Sequence, residues 1–254
     1  MKVLAACHIH SNWSYDGKWT ISDLAVEFSS RGYQVLMMTE HDRGFSQSRL
    51  DEYHEVCRRA SSKDILVVPG IEYSDATNTV HVLTWGNIPF IGENVPTGAM
   101  LKAVKHVGGV AVLAHPSRRN AWQCFDPTWS EFLMGIEVWN RKTDGWHPSF
   151  KAPKLIESSK AVSFVGMDFH TQKQFFPLAM ELEVPDSLTE EAVINSLRLR
   201  LCEARAFRLP LDHGILKSML IALKIAESGR RPLAWMYRSL LAAKMRAKLS
   251  QQGF

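Results

Sequence analysis

Two histidines one residue apart, His8 and His10, stand near the start of the chain. In an extended strand, residues i and i+2 share a face, so both imidazoles can reach a single ion. Further candidate ligands follow at intervals: His41 between Glu40 and Asp42, Glu72, His81, His115, and the pair Asp168 and His170. Imidazole mixed with carboxylate suits zinc, manganese or iron. A divalent ion in such a site activates water and polarises the oxygen of an ester or amide. Thiolate does not enter. Cys7, Cys57, Cys124 and Cys202 are scattered and form no CxxC pair, so neither a thiolate zinc site nor a disulfide framework is indicated, and a reducing cytoplasm is the expected setting.

These residues can act together only if the fold gathers them. Short runs rich in Val, Ile and Leu, without polar alternation, predict strands buried on both faces at Val3–Cys7, Gln34–Thr39, Ile65–Pro69, Val80–Trp85, Val110–Ala114, Ile136–Trp139 and Val162–Gly166. Amphipathic stretches lie between most of them, at Ser22–Ser30, Ser46–Ser61, Gly98–Val107, Trp129–Leu133 and Ser149–Ser159. Alternation of this kind implies an α/β fold of parallel βα units, and seven strands imply a barrel. A parallel barrel builds its active site at the C-terminal ends of its strands. Apart from His81, which lies in the fourth strand, the candidate histidines fall at or near those ends, whereas His54, His106, His147 and His213 do not. The segment from Trp85 to Gly98, with Pro89, Pro96 and three glycines, reads as a loop.

After residue 185 the pattern changes to helices: one capped by Ser187 or Thr189 and running to about Leu201, then two near Ile215–Glu227 and Leu233–Leu249, separated by a turn at Ser228–Pro232. The division read from this is a barrel over residues 1–212 and a basic helical C-terminal extension over 213–254. The 254 residues are 46% hydrophobic and 22% charged, which fits a globular chain with a packed core. Residues 214–254 carry eight Lys/Arg against the single acid Glu227, a net +7, and the remainder is slightly acidic. No apolar stretch reaches the roughly 18 residues that would span a bilayer. Met1–Cys7 ends like a lipoprotein cleavage site, but its apolar run is shorter than the roughly 7–15 residues a signal peptide needs.

The order of the motifs adds a resemblance. His8-Ile9-His10-Ser11 with Ser14-Tyr15-Asp16-Gly17, then Thr39-Glu40-His41-Asp42, Pro69-Gly70-Ile71-Glu72, Ala114-His115-Pro116 and Gly166-Met167-Asp168-Phe169-His170 resemble in sequence the motifs of the PHP (polymerase and histidinol phosphatase) family over roughly residues 1–175. The resemblance implies a distorted, TIM-like (β/α)7 barrel with two or three divalent ions (Mn, Zn or Fe) at its mouth. Transferred residue by residue, it implies one ion on His8, His10, Glu72 and Asp168, with Glu72 bridging to another on His81 and His115. A third ion is implied on Asp16, His41 and His170. The motif around His81 is loose, which makes that ligand the weakest transfer.

The implied activity is hydrolysis of a phosphate ester, most simply a phosphorylated small molecule or nucleotide. Clustered ions can activate water and clamp both oxygens of an in-line displacement at phosphorus. Arg118, three residues after His115, is the candidate catalytic and phosphate-binding guanidinium, with Arg119 beside it. Arg43 and Arg141 are weaker candidates, His147 is a candidate substrate contact, and Glu40 and Asp42 are candidate hydrogen-bond acceptors that orient His41. Three rival readings remain: an exonuclease on short oligonucleotides, which makes nucleic acid a less favoured partner; an amidohydrolase-type C–N hydrolase, for which no strand-end lysine is evident; and a non-catalytic metal-binding module acting through its basic tail. In the last helix, Trp235, Leu241 and Met245 lie among basic residues and offer a second face to a partner or an acidic surface.

Overall fold

The uninterrupted apolar runs become short buried strands. The computed structural model describes residues 1–214, 216–230 and 232. In chain order its elements are β1 (Lys2–Ile9), α1 (Ile21–Ser30), β2 (Val35–Met38), β3 (Glu40–His41), α2 (Gln47–Ala60), β4 (Leu66–Val68), β5 (Gly70–Ser74), β6 (His81–Trp85), α3 (Thr97–His106), β7 (Val110–Leu113), β8 (Gly135–Asn140), α4 (Arg141–Asp144), α5 (Ala152–Ser159), β9 (Val162–Gly166), β10 (Leu178–Glu183), α6 (Glu190–Arg198), β11 (Cys202–Ala206) and β12 (Leu209–Pro210). All seven expected strands form, with ends shifted by two residues at most. The expected helix at 129–133 is a 3-10 turn over Pro127–Glu131, and the one at 149–159 begins only at Ala152.

The sheet corrects the expected barrel. The strands form two six-stranded sheets, β12-β11-β10-β1-β2-β4 and β3-β5-β6-β7-β8-β9, and no closed hydrogen-bonded barrel forms among the described residues. Two features break the parallel βα pattern. β5, β6 and β7 pair antiparallel, because a tight turn at Asp75–Val80, held by the Asp75 carboxylate, replaces a helical crossover. β10 also inserts antiparallel against β1. That strand escapes a search for apolar runs because Glu181 interrupts it, and Lys2 and Arg205 on the flanking strands pair with this carboxylate at 2.9 Å each.

The two sheets are continuous through their strands. β2 runs on into β3 past Thr39, and β4 into β5 past Pro69, which has no N–H to give to a ladder. Across these breaks β2 pairs with β4 and β3 with β5 in parallel. The end of β1 is closed against the segment after β9: Phe169 N–H donates to His8 O and His10 N–H to Phe169 O. Local chemistry fixes the helices that back this frame. Thr20 and Ser46 cap α1 and α2 by accepting the N–H groups of Asp23 and Arg49. Buried Tyr53 on α2 donates to Gly70 O, tying that helix to the start of β5. Gly70 is required there, because a Cβ would lie 2.4 Å from the buried Trp85 indole, whose Nε1–H donates to Met38 O.

Beyond β12, helical backbone runs through residues 216–230, so residues 228–230 of the expected turn are helical instead. Within it Arg230 donates to the buried Glu227 carboxylate at 2.6 and 2.7 Å. This helix packs on the connection between α4 and α5, with Lys224 Nζ 4.4 Å from the Phe150 ring and the Arg230 guanidinium 5.2 Å from the Trp146 ring. The helix expected at 233–249 lies outside the described residues. Among those residues, no helix is long and apolar enough to cross a membrane.

Gly166, at the end of β9, is where the frame meets the site. A Cβ there would stand 1.9 Å from Glu137 Oε1 and 2.8 Å from His8 Cβ. Gly166→Ala is expected to lower stability by about 1–3 kcal/mol through overpacking, read as a drop in the urea midpoint. An unchanged midpoint would show that the Glu137 carboxylate is not held at this spot.

Candidate metal centre

The strand ends bring together the candidate ligands, but not by the pleat alone. The β1–β2 register skips between Cys7 and Ile9, so His8 occupies a bulge with φ of 63°, and His10 lies one residue beyond the strand. His115 (φ 24°) and Asp168 (φ 50°) share this left-handed backbone. For a residue other than glycine, such a conformation costs about 1–3 kcal/mol and persists where the surroundings impose it. Here the buried side chains of all three face the cluster.

Glu72, on β5 and fully buried, is the hub. Its Oε1 lies 2.7 Å from His81 Nδ1 and 3.0 Å from His115 Nε2. Its Oε2 lies 3.1 Å from His41 Nδ1, 3.4 Å from His10 Nε2 and 3.5 Å from His8 Nε2. Asp168 faces the same group, with Oδ1 3.6 Å from His10 Nε2 and 3.8 Å from His8 Nε2. Asp16 spans the outer rim, 3.4 Å from His41 Nε2 and 3.0 Å from His170 Nε2. Three sets offer donor atoms all within 4.8 Å of one another: His8 with Glu72 and His115, His8 with His10 and Asp168, and His10 with His41 and His170. His81 and Asp16 border these sets without completing one.

The electrostatics show what the cluster lacks. Burial opposes the charged form of Glu72, yet His81 and His8 beside it outweigh burial and hold its carboxyl well below the usual carboxylate range. Burial likewise disfavours charge on His41, but Asp16 and Glu72 overcome it and push the imidazole up to about 10. His10 goes the other way, driven far down by burial and by the neighbouring His41 and His170. Neighbouring imidazoles in the ring are thus pulled in opposite directions. Nε2 of His8 and of His10, together with Asp16 Oδ1, is buried without a hydrogen-bond partner. Buried polar atoms are rarely left so, and imidazole nitrogens converging beside carboxylates are the donor set of a divalent cation. The residues present fit the metal ions that the sequence implies.

Two buried carboxylates outside the cluster set the imidazole tautomers. Glu137, on β8, accepts His8 Nδ1–H at 2.8 Å, the His115 backbone N–H at 2.7 Å and Asn140 Nδ2–H at 2.9 Å. Glu40 acts on His10 through Ser14, whose hydroxyl donates to Glu40 and lies 3.3 Å from His10 Nδ1. With each Nδ1 carrying the proton, each Nε2 presents its lone pair to the cluster. This corrects the expectation that Glu40 and Asp42 orient the His41 ring: Glu40 holds the Ser11–Ser14 turn, and Asp42 accepts from Ser74. Glu137 is missed by reading strands for apolar runs, although an acid inside the buried run Ile136–Trp139 is itself a signal, since such a group requires partners.

A cleft of about 510 Å³ opens over the cluster, lined at its rim by Tyr15, Arg43, Asn78, Arg118 and Lys142. Tyr15 stacks on His41 with ring centroids 5.1 Å apart. Arg118 reaches the cleft and donates from Nη1 to Asn78 O at 2.8 Å, beside His81 Nε2 at 3.1 Å. Arg119 is turned to the carbonyls of Thr77 and Asn78 and does not line the cleft. Arg141, half-buried over Phe176, does not line it either, and His147 bonds to Pro148 O in its own loop. Lys142, two residues past β8, is a residue the sequence reading passed over: its Nζ lies 3.1 Å from Asp168 Oδ1.

No family sequence model matches the chain, and neither does any curated protein sequence. Solved structures do match. A two-domain protein from Bacteroides vulgatus, containing a predicted PHP-like metal-dependent phosphoesterase, superposes with a TM-score of 0.62 at 17% identity, over 87% of this chain and 70% of that one. PsfC from Pseudomonas syringae gives 0.58 at 15% identity, over 90% and 98%. The lesion-specific endonuclease EndoQ from Pyrococcus furiosus gives 0.54 at 14%, over 78% of this chain and 56% of the endonuclease. At these identities the likeness is one of fold.

Glu137→Gln keeps the shape but turns an amide NH₂ toward the donors that the carboxylate accepts. It is expected to weaken divalent-ion binding by about 10–100-fold, measured by competition with a chromophoric chelator, while the circular dichroism spectrum stays unchanged. Equal affinity would remove Glu137 from the account.

Proposed function

We propose that the chain is a metal-dependent phosphoesterase of the PHP type that hydrolyses a phosphorylated small molecule or nucleotide. The observation that carries this reading is Glu72, whose two carboxylate oxygens face different sets of imidazoles, as a carboxylate bridging two ions must. Divalent ions held there supply an activated water and a clamp for the oxygens of a phosphoryl group. His8, His10, Glu72 and Asp168 would hold one ion, Glu72 with His115 and His81 a second, and Asp16, His41 and His170 form the outer position.

The protein's own groups do the rest. Arg118 presents a guanidinium at the rim, where it can pair bidentately with phosphate oxygens. Tyr15 and Arg43 also line the cleft, where the body of a small substrate would rest. A monoester is favoured over a polynucleotide by charge. The cleft is lined by Arg43, Arg118 and Lys142, but also by Asp42, Asp75 and Glu93, outside the cluster. A groove that follows a phosphate backbone needs a run of cations instead. The likeness in fold to an endonuclease keeps the exonuclease reading as the rival that the assay must address.

Purified protein loaded with Mn²⁺ or Zn²⁺ is expected to release inorganic phosphate from members of a phosphomonoester panel, and Glu72→Gln is expected to reduce this to background. Stepwise mononucleotide release from a 5′-phosphorylated oligomer would favour the exonuclease. Amide or lactam turnover without phosphate release, or no turnover with any metal, would contradict the proposal.

A further inference from the structure

Lys142 places an ammonium beside a cluster built to receive cations. Its Nζ lies 3.1 Å from Asp168 Oδ1 and 3.4 Å from both ring nitrogens of His170. These residues border the outer position, the one reached by Asp16, His41 and His170. The lysine does not arrive there from a loose surface loop. It is the second residue of α4, and the bracket under that turn is the one that holds His8. Asn140 Oδ1 accepts Thr143 N–H at 3.0 Å, Asn140 N–H donates to Asp144 Oδ2 at 2.8 Å, and Asn140 Nδ2–H donates to Glu137 at 2.9 Å. The stem of Lys142 therefore starts from a point as firmly placed as the imidazoles.

We propose that Lys142 takes the place of the third ion, so that this chain retains two divalent ions tightly, at Glu72, and a third only weakly. The inference rests on the metal reading of the cluster. An ammonium 3.4 Å from both nitrogens of His170 and a divalent ion held by that imidazole would stand a few ångströms apart, where their repulsion is large even at a protein surface. One positive charge already answers Asp168 there. The inner positions are different: no ion pair joins Lys142 to Glu72, whose contacts are to imidazoles, and Asp168, which Lys142 meets through Oδ1, keeps Oδ2 toward His115. The proposal departs from the three-ion site that the motifs imply.

The test uses the full chain, stripped with chelator and titrated with Mn²⁺, counting bound ions by mass spectrometry of the metal and free Mn²⁺ by electron paramagnetic resonance. The wild type should hold two ions per chain, with a third at least tenfold weaker. Lys142→Met, which keeps the stem and removes the charge at a partly exposed position, should tighten the third ion about tenfold or more. Lys142→Arg, which keeps the charge, should behave as the wild type. A third ion no tighter in Lys142→Met than in the wild type would overturn the lysine's role while leaving the metal centre intact. Failure of all three proteins to bind Mn²⁺ would overturn both.

Discussion

The structure depends on a buried carboxylate, Glu72, set among five imidazoles. A lone carboxylate at that depth would be costly, and its ionised form is stable only because His81, His8, His115, His41 and His10 surround it. The same arrangement makes each imidazole's state depend on the others, with His41 driven toward the charged form and His10 away from it. Divalent cations held by the three sets of converging donor atoms would reconcile these demands. The left-handed backbone at His8, His115 and Asp168 is the strain the frame accepts in order to aim them.

The surrounding hydrogen bonds follow from that demand. Glu137 anchors His8 and the His115 backbone at once, and it does so in the space left by Gly166. Glu40 reaches His10 through Ser14, while the same hydroxyl accepts the His41 N–H at 3.0 Å. Two carboxylates outside the cluster thus fix the imidazoles of His8 and His10 and the backbone of His41 and His115. Asn140 extends the bracket from Glu137 to the turn bearing Lys142, so the lining of the mouth and the inner ligands share one support.

Much of this was legible in the sequence, and the reasons for what was not are specific. The seven strands were readable because each is apolar on both faces, and the ligand types were readable because histidines and acids recur at their ends. The convergence of His8 and His10 was anticipated for a different reason from the one observed, since strand alternation does not foresee a bulge. The closed barrel was overturned because pairing direction is not written in an apolar run: the Asp75–Val80 turn makes β5 and β6 a hairpin. β10 was hidden by Glu181, whose partners Lys2 and Arg205 lie far away in sequence. Glu137 and Lys142 were passed over for the same underlying reason, because their roles depend on neighbours that only the fold supplies.

The central claim, that Glu72 bridges two ions, is tested most directly by anomalous diffraction from crystals of the protein grown with Mn²⁺. The account predicts two strong peaks, one against each Glu72 oxygen, about 3.5–4 Å apart, the first near His8, His10 and Asp168 and the second near His115. No peak within bonding distance of Glu72, or a single ion bound only at the rim, would contradict it.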